Sequence, residues 1–314
     1  MGKRPVLALD IGGTKIAAGV VDPGGRVAAV TRTATPRGDT DAEFLWRMVL
    51  SLVDRFRAGG GASGFGGVGV GCGGPMSWPS GEVSPLNIPA WREFPLRKRL
   101  EEEFPGLPVR IHNDAVCLAV GEHWRGAGRG KDNVLGMTVS TGVGGGLVLD
   151  GRLVDGRSGN AGHIGHVVVD PGGPPCACGG HGCLEAIASG PRLAAWATER
   201  GWRSITGSTA RDLAADAARG HPVARAAMRR AGTALGTAIA SAASLCDLET
   251  VAVGGGLSQA GTLLFNPLEE TLRRHVGLSF AREARVVPAA LGQEAGLVGA
   301  AALVLAGGRY WSAD

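Results

Sequence analysis

The sequence predicts a duplicated α/β fold in two domains, and three observations predict it. A short apolar run, a polar glycine-rich turn, a returning strand, a second turn and a third strand fill residues 6–33. The same succession returns at residues 134–154. Helical start and stop signals punctuate the remainder of a 314-residue chain, a length that suits one large or two medium domains.

In the first copy, Val6-Leu7-Ala8-Leu9 is an apolar run closed by Asp10, Ile11-Gly12-Gly13-Thr14 is a turn, and residues 15–21 return as a strand. Asp22-Pro23-Gly24-Gly25 is a strong turn signal, and residues 26–33 follow as a third strand. Thr40-Asp41-Ala42-Glu43 has the form of a capping box and opens a helix over residues 40–56. A strand at 68–71, a helix at 95–104, a strand at 109–111 reaching Asn113-Asp114 and a helix at 115–124 complete this half. The second copy runs from a strand at 134–140 through Thr141-Gly142-Val143-Gly144 to a return at 145–149, the hairpin turn Asp150-Gly151 and a short strand at 152–154. Beyond it, a helix at 210–219 stops at Gly220, and Pro222 sits at the favoured first position of a helix reaching residue 245. Residues 250–253 form a buried-type strand leading into Gly254-Gly255-Gly256, and residues 295–305 a helix rich in small residues. A duplication of one supersecondary unit explains the recurrence, and two symmetric copies would turn their glycine-rich turns toward a common cleft. No Pro- or Ser-rich linker divides the chain, so the expected boundary is a helix-borne hinge at residues 116–130.

With 44% hydrophobic residues the chain can bury a sizeable core. The net charge of +4 is mild, and Lys and Arg are dispersed, so nucleic acid is not implied. The apolar run before Asp10 is too short for a signal peptide, and Gly2-Lys3-Arg4-Pro5-Val6 lacks the hydroxyl residue of a myristoylation site. No stretch is long enough to span a bilayer. Of the six cysteines, Cys176, Cys178 and Cys183 cluster while Cys72, Cys117 and Cys246 stand alone in apolar surroundings. That usage suits a reducing cytoplasm and a metal site better than a disulfide framework.

Four constellations can carry chemistry. Asp10-Ile11-Gly12-Gly13-Thr14-Lys15 offers amides and a hydroxyl to phosphate oxygens, and an Asp ending a strand can hold a hydrated Mg²⁺; an ordinary hairpin turn would look similar. Ser140-Thr141-Gly142-Val143-Gly144-Gly145-Gly146 repeats that logic in the second copy, and two opposed turns can grip a triphosphate. Asp114, between a strand and a helix, is a candidate general base, although taken alone it reads more readily as a helix N-cap. His166 with Cys176, Cys178 and Cys183 offers one imidazole and three thiolates, a set that suits a closed, structural, tetrahedral zinc. Gly69-Val70-Gly71-Cys72-Gly73-Gly74 has dinucleotide-binding spacing, but Pro75 and Pro79 break the helix that would have to follow.

Together these residues resemble the ROK family of sugar kinases and regulators over nearly the whole chain. The resemblance is carried by residues 10–15, Gly73-Gly74-Pro75, residues 87–91, Asn113-Asp114, residues 140–146 and 162–166, and most specifically by Cys176-Ala177-Cys178-Gly179-Gly180-His181-Gly182-Cys183-Leu184-Glu185. It implies the actin-like, ribonuclease-H-like duplicated fold: a smaller domain at 1–117, to which residues 297–314 return, and a larger one at 118–296 carrying the zinc. It implies an ATP-dependent kinase acting on a hexose hydroxyl, the 6-hydroxyl foremost, with catalytic Mg²⁺ and structural Zn²⁺. By the same resemblance Asp114 is the base; Gly74, Asn87, Asn113, His163, His166 and Glu185 face the sugar; and Asp10, Gly12, Gly13, Thr14, Lys15, Thr141, Gly142, Gly254 and Gly255 face the nucleotide. A cytoplasmic homodimer or homotetramer is expected.

One position departs from the commoner pattern. Gly162-His163-Ile164-Gly165-His166 carries His163 where glucokinases of the family usually have Glu, and in this it resembles bacterial N-acetylmannosamine kinases. An imidazole can donate where a carboxylate only accepts, so the demand at one sugar substituent changes; His163 as a supporting residue without substrate contact stands beside that reading. The leading acceptors are N-acetylmannosamine and glucose, with another amino sugar or a cyclitol as alternatives. A sugar-responsive transcription regulator of the same family would carry a DNA-binding helix-turn-helix before the first strand, for which residues 1–5 leave no room.

Overall fold

The computed structural model describes residues 4–36, 38, 40–57, 64–204 and 207–313. Met1, Gly2 and Lys3, on which part of the N-terminal reading falls, lie outside them.

The first half begins with β1 (Val6–Ile11), β2 (Lys15–Val21) and β3 (Val27–Ala34), an antiparallel meander. Helix α1 (Ala42–Arg57) leads to β4 (Val68–Cys72), a small hairpin of β5 (Met76–Ser77) and β6 (Glu82–Val83), α2 (Leu96–Glu103), β7 (Val109–Asn113) and α3 (Asp114–Arg125). The second copy supplies β8 (Val134–Val139), β9 (Val143–Leu149) and β10 (Arg152–Leu153). There follow α4 (Leu184–Ala188), α5 (Gly190–Glu199), α6 (Ala210–Ala218), α7 (Pro222–Cys246), β11 (Thr250–Gly254), α8 (Thr262–His275), α9 (Ser279–Arg282), β12 (Arg285–Pro288), α10 (Ala295–Leu305) and α11 (Gly307–Tyr310). The sheets have matching strand orders, β3-β2-β1-β4-β7 and β10-β9-β8-β11-β12. In each, the last two strands join in parallel. The predicted duplication is therefore present in topology.

By packing, the chain forms two compact units, Met1–Gly130 with Gly146–Ala161 and Ala290–Asp314, and Lys131–Gly145 with Gly162–Ala289. In the first, β1 is buried along almost its whole length, as expected of a continuous apolar run in mid-sheet. Glycines let helices close on β4: a Cβ on Gly69 would sit 1.9 Å from the Ala300 carbonyl oxygen of α10, and one on Gly71 would meet Cys117 of α3 at 3.2 Å. The Gly-x-Gly-x-Gly-Gly run thus serves backbone packing, and the β5–β6 hairpin, not a helix, follows it. Helix α3 lies wholly in this unit, where Val116, Cys117 and Val120 are buried with Leu297, Ala300 and Leu303 of α10. In the second unit, α7 packs on α8 through Gly232 and Gly236, whose added Cβ atoms would meet the Leu264 and Leu268 carbonyl oxygens at 2.7 and 2.5 Å.

Two local expectations change. The capping box at Thr40 does not form: Asp41 accepts from the Phe44 amide at 3.2 Å, and Glu43 is engaged by Arg99 instead. Cys246 ends α7 half-buried, whereas Cys72 and Cys117 are core residues whose burial pushes their thiols well up in pKa, so neither is a nucleophile. Among the described residues no helix is long and apolar enough to cross a membrane.

Candidate active site

In the first unit, two strand ends and one loop bring the predicted residues together. The turn after β1 is closed by the Gly12 amide donating to the Lys15 carbonyl at 3.0 Å and by the Thr35 hydroxyl donating to the Gly12 carbonyl at 2.6 Å. A Cβ on Gly13 would lie 2.3 Å from Cβ of Asn87, so the bare glycine is what allows the Asn87 loop to press on the turn. Gly74, half-buried, anchors the start of that loop by accepting from the Leu86 amide at 3.1 Å. Thr14 and Asn87 are exposed, and Lys15 opens β2 half-exposed.

Asp10 is the last residue but one of β1, beside this turn. Burial raises its pKa, and the positive charges of Lys15 and Arg32 oppose the rise. The first turn of α10 closes on it, a Cβ on Gly296 lying 2.9 Å from its carboxyl carbon.

At the end of β7 the cap of α3 is Asn113, not Asp114: Asn113 Oδ1 accepts from the Ala115 amide at 2.9 Å. Asp114 is the first helical residue, and its Oδ1 accepts from the same amide at 2.8 Å. Burial first and the Asp10 charge second raise its pKa to about 6, against the lowering effect of the Ala115 amide. A carboxylate of that pKa is ionised at neutral pH yet basic enough to take a proton from a hydroxyl as it attacks.

The second unit holds the other predicted residues. The Ser140 amide donates to the Gly142 carbonyl at 2.8 Å and tightens the turn between β8 and β9, where Thr141 is exposed. Glu185, on the first turn of α4, accepts from the Val143 amide at 2.9 Å, and a Cβ on Gly142 would lie 2.8 Å from the same carboxylate oxygen. The turn is thus built against Glu185, a pairing that a separation of 42 positions in sequence conceals. Gly254 ends β11 buried; Gly255 has φ of 89°, and a Cβ there would meet the Val139 carbonyl oxygen at 2.4 Å, which is why glycine occupies this position.

Glu185 lies two residues after Cys183, and Cys183 belongs to a cluster. The ligand atoms of His166, Cys176, Cys178 and Cys183 all lie within 4.8 Å of one another. Cys178 and Cys183 sulfurs are 3.8 Å apart, and Cys176 Sγ is 3.7 Å from His166 Nδ1. Ligands at the ~2.3 Å zinc–sulfur distance in a tetrahedron are separated by about 3.8 Å, the spacing of these two pairs, so the chemistry and clustering of the donor set suit zinc. His166 ends a 3₁₀ turn (Ile164–His166) that begins after His163, and the two imidazole rings are 6.1 Å apart. Both histidines are half-buried.

Comparison with known proteins identifies the family and the class of activity. A glucokinase of Thermotoga maritima is 36% identical over 97% of this chain and 98% of its own. An N-acetylmannosamine kinase of Salmonella heidelberg is 36% identical over 95% of this chain and 97% of its own. The crystal structure of a ROK family glucokinase from Streptomyces griseus, in complex with glucose and AMPPNP, superposes with a TM-score of 0.83 at 37% identity, covering 96% of this chain and 99% of that one. Fold and relatives define an ATP-dependent sugar kinase of the actin-like ATPase class. Residues 6–306 match the ROK family model, and the chain belongs to that family.

Proposed function

We propose that Asp114 is the general base that accepts the proton of a hexose hydroxyl, the 6-hydroxyl foremost, as the γ-phosphoryl group of ATP is transferred to that oxygen. The observation that carries this reading is the carboxylate at the β7–α3 junction, held at a pKa of about 6 by burial and by Asp10. Phosphoryl transfer asks the protein mainly for positioning and charge stabilisation, so one well-placed base beside rigid turns suffices.

In the first unit, Asn113, Asn87 and Gly74 are the proposed sugar contacts, and the Gly12, Gly13, Thr14 and Lys15 turn the phosphate contact. Asp10, a half-buried acid at a strand end, suits a Mg²⁺ bound through its water shell, which when present would neutralise phosphate charge. In the second unit, Thr141 and Gly142 are proposed for phosphate, Gly254 and Gly255 for the adenosine side, and Glu185, His163 and His166 for sugar hydroxyls, with His166, Cys176, Cys178 and Cys183 holding a structural zinc. Six unpaired thiols support a reducing, cytoplasmic setting.

N-acetylmannosamine and glucose are the leading acceptors, and the donor-capable ring of His163 favours the former. A coupled ADP-release assay over glucose, N-acetylmannosamine, other amino sugars and cyclitols tests this. Turnover confined to N-acetylated sugars supports the His163 argument, and turnover confined to glucose removes it. In the same assay Asp114→Asn should lose roughly 10²–10⁴-fold in kcat, the range of general-base contributions, while still binding sugar. Because the base must be ionised, wild-type kcat/KM should fall as pH drops through about 6. An Asp114→Asn variant of near wild-type rate would dismiss the assignment.

A further inference from the structure

We infer that His112 is a positioning residue for Asp114, acting through a hydrogen-bonded chain that runs from the exposed Ser312 through the buried Asp155 and His112 to Asn113. The inference rests on Asp114 being the base.

β7 is the edge strand of its sheet. Amides on its outer side have no neighbouring strand, and a buried amide left without an acceptor is costly. The Asn113 amide, the last of β7, is taken by its neighbour's side chain: it donates to His112 Nδ1 at 2.9 Å. A backbone N–H can only donate, so Nδ1 carries no proton and the proton of the neutral ring sits on Nε2. Nε2 lies 3.1 Å from Asp155 Oδ1, to which it therefore donates. The other oxygen, Oδ2, accepts from the Ser312 hydroxyl at 2.7 Å. His112 is fully buried and Asp155 is 8% exposed.

Each link removes one freedom. Ser312 and the His112 ring occupy both oxygens of Asp155. Asp155 fixes the ring's tautomer and plane, much as a carboxylate orients an imidazole ligand from behind. The ring fixes the Asn113 amide, and Asn113 in turn caps α3, whose first residue is Asp114. The direction of the Asp114 carboxylate is thereby tied to residues remote in sequence. Two neighbours of Ser312 clamp the same tail. Tyr310 is hydrogen-bonded to His123 of α3 at 2.6 Å, and the Trp311 ring packs edge-on to Trp78 at 5.9 Å. A pure packing role for position 112 would be met by an apolar side chain without a buried carboxylate, so the paired burial of His and Asp points to a demand for direction.

Single-turnover phosphorylation of the best acceptor by ATP tests this in the full-length enzyme. The rate constant reports the chemical step and the amplitude reports the fraction of folded, active enzyme. His112→Ala should lower the rate constant roughly 10- to 100-fold, the scale of a misplaced reacting group, at undiminished amplitude, with the KM for ATP unchanged. Two conservative variants split the ring's functions. His112→Asn keeps an acceptor where Nδ1 stands, and His112→Gln keeps only a donor toward Asp155. His112→Asn should recover the larger share of the rate, and Ser312→Ala should lose only a few-fold. A loss confined to amplitude, an unchanged rate constant in His112→Ala, or better rescue by Gln than by Asn would each overturn the inference. If Asp114→Asn itself stays active, the base assignment has failed; if Asp114→Asn is inactive and His112→Ala is not, only the positioning role has failed.

Discussion

The two glycine-rich turns share a topology and differ in what braces them. The turn after β1 is held by its own chain and by packing: Gly12 to Lys15, Thr35 to Gly12, and Asn87 pressed against the bare face of Gly13. The turn after β8 leans on Glu185, and Glu185 is placed by a five-residue helix that starts immediately after a member of the Cys–His cluster. A duplicated backbone has thus been stiffened in two ways, one through contacts that form whenever the unit folds, the other through a brace that we propose depends on zinc. Symmetry of topology therefore need not carry over to sensitivity: chelators should disturb the second turn and leave the first intact.

Of the changes that separate the two turns, the largest effect should come from the metal. Stripping zinc with a strong chelator, or the change Cys178→Ser, removes a cross-link from a loop that otherwise has few apolar contacts, Cys176, Cys183 and Ala186 being its buried cluster. Loss of outer support of this kind costs metalloproteins about 10–100-fold, and kcat should fall at least that far, with metal content measured by atomic absorption and recovery on adding Zn²⁺. An enzyme that releases one zinc per chain and keeps its rate would show that the second turn stands without the metal.

A smaller, opposite loss should follow from Gly13→Ala. The new methyl would collide with Asn87 at 2.3 Å, and relief by shifting that loop costs about 1–3 kcal/mol, as overpacking does. Expressed in kinetics this is a rise of roughly tenfold or more in the KM for the sugar or for ATP, insensitive to added zinc. A Gly13→Ala enzyme with wild-type constants would show that the Asn87 loop is not fixed by the turn.

How much of this was legible beforehand follows from the range of each signal. The central strands could be read because a strand buried on both faces must be an apolar run, as Val6-Leu7-Ala8-Leu9 and Val251-Ala252-Val253 are. The short edge strand β12 could not, since its two end residues are exposed and the two between them only half-buried. Helix α4 spans only five residues between loops, too few for a helical period to appear; α5 and α8 were likewise not anticipated. The Cys–His cluster was legible from residue type and spacing, and the structure brings His166, Cys176, Cys178 and Cys183 together. What the sequence concealed is coupling across distance: that Asp10 raises the pKa of Asp114, that Glu185 meets the Val143 amide, and that His112 finds Asp155. Those pairings are made by strand order, which no local pattern encodes. The cap at Asn113 shows a finer limit, because Asn and Asp are nearly equal as caps and only the backbone decides which of two neighbours takes the seat.

The smallest effect distinguishes what Glu185 does. Its Oε2 accepts from the Val143 amide, and a bond to a charged acceptor is about twice as strong as one to a neutral one. Glu185→Gln keeps an acceptor of the same shape and loses the charge. If Glu185 acts only as the brace of the second turn, the variant should lose about 1 kcal/mol, or some five-fold, in kcat with the sugar KM unchanged. If its carboxylate also accepts from a sugar hydroxyl, the amide must present a donor or a weaker acceptor there, and the sugar KM should rise alongside. Measuring kcat and both KM values for Glu185→Gln, with and without zinc, separates the two roles. A brace alone makes the substitution nearly silent once the metal is gone, because the side chain is then no longer held against Val143. A direct sugar contact keeps its penalty in both states.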